Sequence, residues 1–340
     1  MSGTGRWLYG FIICISLGAT AALVWRNFSR PDESENALRI LAYSSFTASW
    51  GPGPELVTMF EAEMRKAGKP EAKVILMQAE DAGLLIAKMR SFPADVVIGF
   101  DQLGRHLAEK SQAWRPHGIS KARFSDAKFL AFDWAPLGFI YRKGETDPPK
   151  NFDDLLDARF ENAIALQDPR SSSPGFQFLS WLVTEMGEEA AFAYLRKLKP
   201  NVQSTSGSWS QSYGIFTRGL AKLAFGYETS ILYHRLSEKD DRYEFIRFPG
   251  QHPTQFEFAA IPESCGQCEM AQEFLEFLVR PEAQAVIMKK NWMLPVNSAA
   301  AKGTPFEPLM NSAPTLITRK KIDGRDPEDE LLKRWREAVL

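Results

Sequence analysis

The sequence predicts an α/β fold of two lobes with a ligand cleft between them. Three observations predict it. Strand-like apolar runs alternate with helical spacing from Leu38 onward, the pattern of a parallel sheet. A long apolar run, "FLAFDWAPLGFIYRKG", interrupted by Pro136, reads as a strand crossing out of the first group of elements. A later run, "FEFAAIP", is placed to return to it. Lobes joined by crossing strands enclose a cleft where small ligands bind and which hinge motion closes.

The chain opens with "WLYGFIICISLGATAALVW", Trp7 to Trp25, 19 residues without a charge between Arg6 and Arg26. That length spans a bilayer. It equally reads as the apolar region of an export signal, with "ATA" at Ala19 to Ala21 as a weak cleavage site. Residues 1–30 are thus an export signal or an N-terminal membrane anchor, and 31–36 a polar tether. Either reading sends the rest of the chain across a membrane, secreted or tethered.

From there "LRILAY" predicts a strand and "PELVTMFEAEMRKAG" a helix, with Leu56, Met59, Phe60 and Met64 on one face. "AKVILMQ" predicts a strand and "AEDAGLLIAKMRSF" a helix with Glu80 and Asp81 in its first turn. "ADVVIGF" is a third strand, ending at Asp101. After the crossing strand come a short helix in "PKNFDDLLDARF", a strand in "NAIALQD", and a loop feeding a helix in "PRSSSPGFQFLSWLVTEMG". "EEAAFAYLRKLKP" is helical, "FTRGLAKLAFGYETSILYHRL" holds a helix end, a short strand and an aromatic loop, and "RYEFIRFP" is a strand. "QEFLEFLVRPEAQAVIMKKN" and "EDELLKRWREAVL" are amphipathic helices. The expected division is 37–135 with 256–305 as lobe 1, 136–255 as lobe 2, and 306–340 as a C-terminal helical segment.

Charge narrows the function. The 340 residues carry a net charge of −1 with no basic stripe, which excludes nucleic acid as a partner. There is no Walker loop and no G-x-S-x-G. "SDAK" at Ser125 matches S-x-x-K only in a stretch expected at the surface, and His106, His117, His234 and His252 lack metal spacing. No enzyme activity, cofactor or metal is expected. Cys265 and Cys268 form "CGQC", which reads as a small local disulfide or two free thiols; a redox motif belongs in a βα unit near the start of its fold.

Recognition residues are more plentiful. Ligands of parallel α/β sheets bind beyond the carboxyl ends of the strands, and Tyr43, Trp50, Glu80, Asp81 and Asp101 all fall there. "QDPRSSSPG" puts Ser171, Ser172 and Ser173 at a helix start. That suits an anion such as phosphate, or serves only as an N-cap. Trp209 and Tyr213 are four apart in "GSWSQSYGIF" and share a helix face; surrounded by serines, that face makes a poor core. Tyr227, Glu228 and Tyr233 lie in "GYETSILYH", and Trp292 in "KNWMLPV". Aromatic faces with nearby carboxylates hold flat or cationic ligands.

Taken in order, "SWGPGP", "ADVVIGFD", "QDPRSSSPG", "SWSQSYGIF", "GYETSILYH" and "NWMLPV" resemble the thiamine-binding periplasmic proteins of bacterial ABC transporters, from about Leu38 to Trp335. The resemblance implies a two-lobed type II periplasmic binding protein fold and a monomer. Its ligand would be thiamine, thiamine monophosphate or thiamine pyrophosphate, and its partner an ABC permease in the inner membrane. It implies that Tyr43, Trp50, Trp209, Tyr227, Tyr233 and Trp292 surround the vitamin, that Ser171 to Ser173 lie near a phosphate, and that Glu80 and Asp81 lie near polar groups. Ser44 and Glu228 depart from the family, which has Asp and Thr there. The alternatives are the same fold binding ferric ion or a polyamine and, more remotely, a membrane-tethered thiol oxidoreductase.

Overall fold

The computed structural model describes residues 37–79, 84–89, 91–101, 104–119, 123–311 and 327–339. The apolar segment Trp7–Trp25 and the acidic pair Glu80 and Asp81 lie outside them. Among the described residues, no helix is long and apolar enough to cross a membrane.

The first strand, β1 (Ala37–Ala42), ends at a four-residue helical turn, α1 (Ser44–Thr47). Helix α2 (Gly53–Lys66) starts with a proline in its first turn and buries Leu56, Phe60 and Met64 at helical spacing. It ends with Arg65 and Lys66, which suit the negative end of the helix dipole. Then follow β2 (Lys73–Gln78), α3 (Leu85–Met89), β3 (Val96–Asp101), α4 (Arg105–Ser111) and β4 (Trp114–Arg115).

The crossing strand is a single element, β5 (Leu130–Arg142), 13 residues long. Pro136 does not break it, because the strand changes partners there. Residues up to Pro136 pair with β10 (Thr254–Pro262), whereas Leu137 to Tyr141 pair with β8 (Leu223–Tyr227). A residue without an N–H is tolerated where one ladder ends and the next begins.

The remaining elements are β6 (Ile164–Gln167), α5 (Ser173–Met186), α6 (Glu188–Leu198), β7 (Val202–Ser206), α7 (Trp209–Thr217), α8 (Ser230–Tyr233), β9 (Tyr243–Ile246), α9 (Cys268–Leu278), α10 (Pro281–Lys290), β11 (Leu294–Pro295) and α11 (Pro327–Val339). The strand order is β2-β1-β3-β10-β5-β8-β6-β7, with β11 and β9 also on β5 and β4 on β10. Pairs β1–β3 and β6–β8 are parallel, while β5 and β10 run antiparallel to their neighbours.

Two apolar cores flank the crossing. One is built from β1 to β4, α2, α9 and α10, around Phe46, Phe60, Phe100, Phe132 and Phe274, and extends under α7 through Tyr213 and Phe216. The other holds Phe139, Phe160, Phe178, Trp181, Phe192 and Phe225. Each such ring contributes about 1.5–3 kcal/mol on burial. The C-terminal α11 joins this second core through Leu331, Trp335 and Ala338, and Arg334 on it pairs with Glu188 and Glu189.

Cys265 and Cys268 are bonded to each other, with Cα atoms 5.3 Å apart, at the start of α9.

Candidate functional site

A cavity of about 660 Å³ lies beside the crossing strands. One side comes from the end of β1, the turn carrying Trp50, and the segment after α10; the other comes from the N-terminus of α5, from α7, and from the end of β8 into α8. Of the residues expected from the sequence, Tyr43, Trp50, Ser173, Trp209, Tyr213, Tyr227, Tyr233 and Trp292 line it together.

The aromatic side chains form two groups. On α7, Trp209 stacks on Tyr213, with centroids 4.9 Å apart and planes inclined by 18°, and tilts against Tyr227 at 5.6 Å. Tyr233, at the end of α8, reaches the facing side and meets the edge of Trp292 at 5.3 Å, and Trp292 stacks on Phe306. Trp292 has φ of 54°, a left-handed conformation that is rare for a bulky residue and marks a position its surroundings enforce. Trp50 stands at the rim, 60% exposed. Its turn is tight: a side chain at Gly51 would place its Cβ 2.1 Å from the Ser45 carbonyl oxygen. Only glycine allows that approach, which presents the indole to the cavity rather than to the core.

The floor is polar and buried. The Tyr43 hydroxyl donates to Glu257 Oε2 at 2.6 Å. Asn291 Nδ2 donates to the Tyr43 oxygen at 2.8 Å and to Asp133 Oδ2 at 2.7 Å. Gln255 Nε2 bridges Glu257 Oε1 and the Tyr227 hydroxyl at 3.1 and 2.9 Å. Burial, then the charges of Glu257 and Asp133, push the Tyr43 phenol well above its ordinary range, so it remains a donor. Burial, and then the charge of Glu257, pushes the Asp133 carboxyl well above the usual carboxylate range.

Behind α7 the Tyr213 hydroxyl meets His234 Nε2 at 2.8 Å, and His234 Nδ1 meets Glu238 Oε2 at 2.6 Å. His234 is fully buried and stacked on Tyr243, with centroids 3.4 Å apart. The segment read from sequence as an aromatic loop is instead helical: α8 runs into one π-helical turn, His234–Glu238. Such turns recur at functional sites.

Other expected residues stand elsewhere. Ser171 Oγ donates to the Gly207 carbonyl. Ser172 is buried behind the rim, its Oγ without a hydrogen-bond partner among the described residues. Glu228 is 4% exposed, does not line the cavity, and is paired with Arg247. Burial raises its pKa, and Arg247 opposes the shift. Asp101, suspected from its strand end, accepts from Gly104 N–H and the Gln177 amide. Neither Cys265 nor Cys268 lines the cavity. Sequence reading passed over Glu257, Gln255, Asp133 and Asn291, although the polar "D" and "QFE" within apolar strand runs were a visible signal.

A family model for bacterial extracellular solute-binding proteins matches residues 51–316. The thiamine-binding periplasmic protein of Escherichia coli is 33% identical over 321 residues, covering 91% of this chain and 95% of its own length. The protein of the same name from Haemophilus influenzae is 31% identical over 297 residues, covering 84% and 85%. A solved structure titled periplasmic thiamin binding protein superposes with a TM-score of 0.79 at 29% identity, covering 92% of this chain and 98% of that one. A ferric binding protein from Campylobacter jejuni shares the fold, with a TM-score of 0.64 at 21% identity over 89% of this chain and 97% of that one. The fold is therefore the two-lobed periplasmic binding protein fold expected from the sequence. The chain belongs to the bacterial extracellular solute-binding proteins and is a homologue of their thiamine-binding periplasmic members.

Proposed function

We propose that the protein captures thiamine, or its mono- or pyrophosphate, in the aromatic cavity and delivers it to an ABC permease of the inner membrane. The observation that carries this reading is the joining of two aromatic groups and a buried carboxylate around one cavity of about 660 Å³. Thiamine offers a permanent thiazolium cation, a flat aminopyrimidine ring and a hydroxyethyl tail. A cation over a Trp or Tyr face gains about 0.5–2 kcal/mol. Trp209, Tyr213 and Tyr227 supply one set of faces, Tyr233 and Trp292 the other, with Trp50 covering the mouth. Of the serine loop Ser171 to Ser173, Ser173 at the N-terminus of α5 lines the cavity and is the receptor for an esterified phosphate. Glu80 and Asp81 complete the proposed polar contacts. Binding and release involve no bond making, and the energy of transport comes from a separate ATPase.

The architecture fits this role. Lobe 1 is assigned to 37–135 and 256–305, lobe 2 to 136–255, and 306–340 to a C-terminal segment whose helix α11 packs on the second core. Residues 1–30 direct the chain out of the cytoplasm, as a cleaved signal or an anchor. The protein works as a monomer, periplasmic or tethered at the membrane.

Calorimetric titration of the purified protein, freed of co-purified ligand, tests the reading with thiamine and its two phosphates. A Kd below about 1 μM for any of them, some −8 kcal/mol, is expected, and the ranking reports whether the serine loop receives phosphate. No heat with all three, alongside binding of ferric ion or spermidine, replaces the vitamin with that ligand.

A further inference from the structure

The π-helical turn His234–Glu238 brings a carboxylate to the cavity wall. Glu238 lies four residues after His234, and its Oε2 meets the His234 Nδ1 at 2.6 Å. The turn ends directly after it, where Lys239 takes a left-handed φ of 56°. Burial holds the His234 ring in its neutral form, with a single N–H. A carboxylate only accepts, so that N–H is on Nδ1, and Nε2 is left to accept from the Tyr213 hydroxyl at 2.8 Å. Both ends of this chain, Tyr213 and Glu238, line the cavity, while His234 is fully buried. Among the described residues, two acids line the cavity, Glu238 and Glu257. Glu257 belongs to the buried floor, where Tyr43 and Gln255 hold its oxygens. The Glu238 side chain is 44% exposed and stands beside Tyr233, whose hydroxyl also bonds it.

We propose that Glu238 recognises an amine on the edge of the ligand's flat ring, and that His234 aims it for that task. The inference rests on the vitamin-capture reading and names the group within it that reads the aminopyrimidine edge. Aromatic walls read faces only: Tyr233 and Trp292 attract any flat or cationic ring. Telling apart two rings of one shape needs a directional group at the ring's edge. A carboxylate has about four acceptor sites, so His234 and Tyr233 leave capacity for an N–H of the ligand. An amine makes a charge-assisted hydrogen bond there, stronger than a neutral one. An oxygen in its place sets lone pair against lone pair and forfeits that bond. His234 is the positioning residue, its own ring fixed by stacking on Tyr243.

The competing role for Glu238 is structural, closing the turn through His234. Two probes separate the roles: thiamine, and oxythiamine, in which oxygen replaces the exocyclic amine of the pyrimidine. Both keep the thiazolium charge, so attraction of the cation cancels in the comparison. Wild-type protein and Glu238→Gln are titrated with each by calorimetry. The Gln amide can donate to the oxygen that the carboxylate repels. The wild type is expected to prefer thiamine by about tenfold or more, and the variant to bring the two ligands within about threefold of each other. Where Glu238→Gln fails to fold, Glu238→Ala, a truncation of a half-exposed side chain, carries the same test with the same expected narrowing. His234→Gln is expected to narrow the preference as well, which loss of stability alone does not do; an unchanged preference there overturns the positioning role. Equal wild-type affinities for the two ligands overturn the inference, as do Glu238 variants that keep the wild-type preference or lose both ligands in parallel. A wild type that binds neither ligand overturns the capture reading itself; one that binds both equally overturns only the recognition of the amine.

Discussion

The Trp209 indole lies over the Tyr213 ring with centroids 4.9 Å apart, and the Tyr213 hydroxyl is held at 2.8 Å by His234. The aromatic platform is thus anchored through a buried hydrogen bond to a histidine 21 residues on. An indole so fixed loses little freedom when a flat ligand stacks on it, which favours tight binding. Trp209→Ala removes the platform and is expected to weaken thiamine binding by about tenfold or more, near 1.4 kcal/mol. Calorimetry reads this directly, and unchanged affinity would remove α7 from the site.

Gly99 governs the position of Tyr43. Its φ is 106°, and a Cβ built there would lie 2.1 Å from the Tyr43 ring. Gly99→Ala therefore meets both backbone strain and a clash with a buried ring. We expect a loss of about 1–3 kcal/mol of stability, measured by denaturant unfolding. Weaker ligand binding accompanies it, because Tyr43 can no longer reach Glu257. A variant as stable as the wild type would contradict the packing described.

Arg247 protects a buried acid. Burial raises the Glu228 pKa from 4.5, and Arg247 works against that rise. A raised acid binds more protons in the folded state than in the unfolded one, so it lowers stability as pH climbs from about 4.5 through its folded value. Arg247→Met removes the opposing charge and widens that window upward. The variant is expected to lose about 1–3 kcal/mol near neutral pH and to recover part of it near pH 5. Equal losses at both pH values would show that Glu228 does not titrate in this range.

His234 acts in the opposite sense. Burial lowers its pKa from 6.5, with Glu238 opposing. The unfolded chain then takes up a proton first, and stability falls as pH drops from about 6.5 toward the folded value. His252, also lowered by burial, adds a contribution of the same sign. His234→Gln is expected to cost about 1–2 kcal/mol at neutral pH through the weakened bond to Tyr213, and to flatten the acid side of the stability profile. Thermal unfolding at pH 7 and pH 5 tests this; a profile parallel to the wild type would exclude His234 as a source of the slope.

Local pattern carried much of this protein. The helical spacing of Leu56, Phe60 and Met64 and the alternation of strands and helices describe elements whose apolar faces are set within a few residues, so they can be read without their partners. The same holds for aromatics misplaced for a core. Trp50, Trp209, Tyr233 and Trp292 sit among serines, glycines and lysines, and all four line the cavity. The pairing of charges was not legible in the chain alone. Glu228 stands next to an aromatic in sequence, yet Arg247, 19 residues on, has paired with it.

Tertiary structure alone decided the floor of the site. Asp133 and Glu257 each interrupt an apolar run, and nothing near either in sequence tells whether it faces solvent or a neighbour. Their meeting depends on the register between β5 and β10, and a slip of one residue would send each to the opposite face of the sheet. Asn291 and Tyr43, 248 residues apart, are likewise joined only when α10 docks beside β1. The sequence by itself determined the elements and the aromatic walls, because these follow from local spacing and composition, and pointed to the family through the resemblance of its ordered motifs. The meeting of Asp133 and Glu257 was decided by strand pairing, because a hydrogen-bonded ladder between distant segments has no local signature.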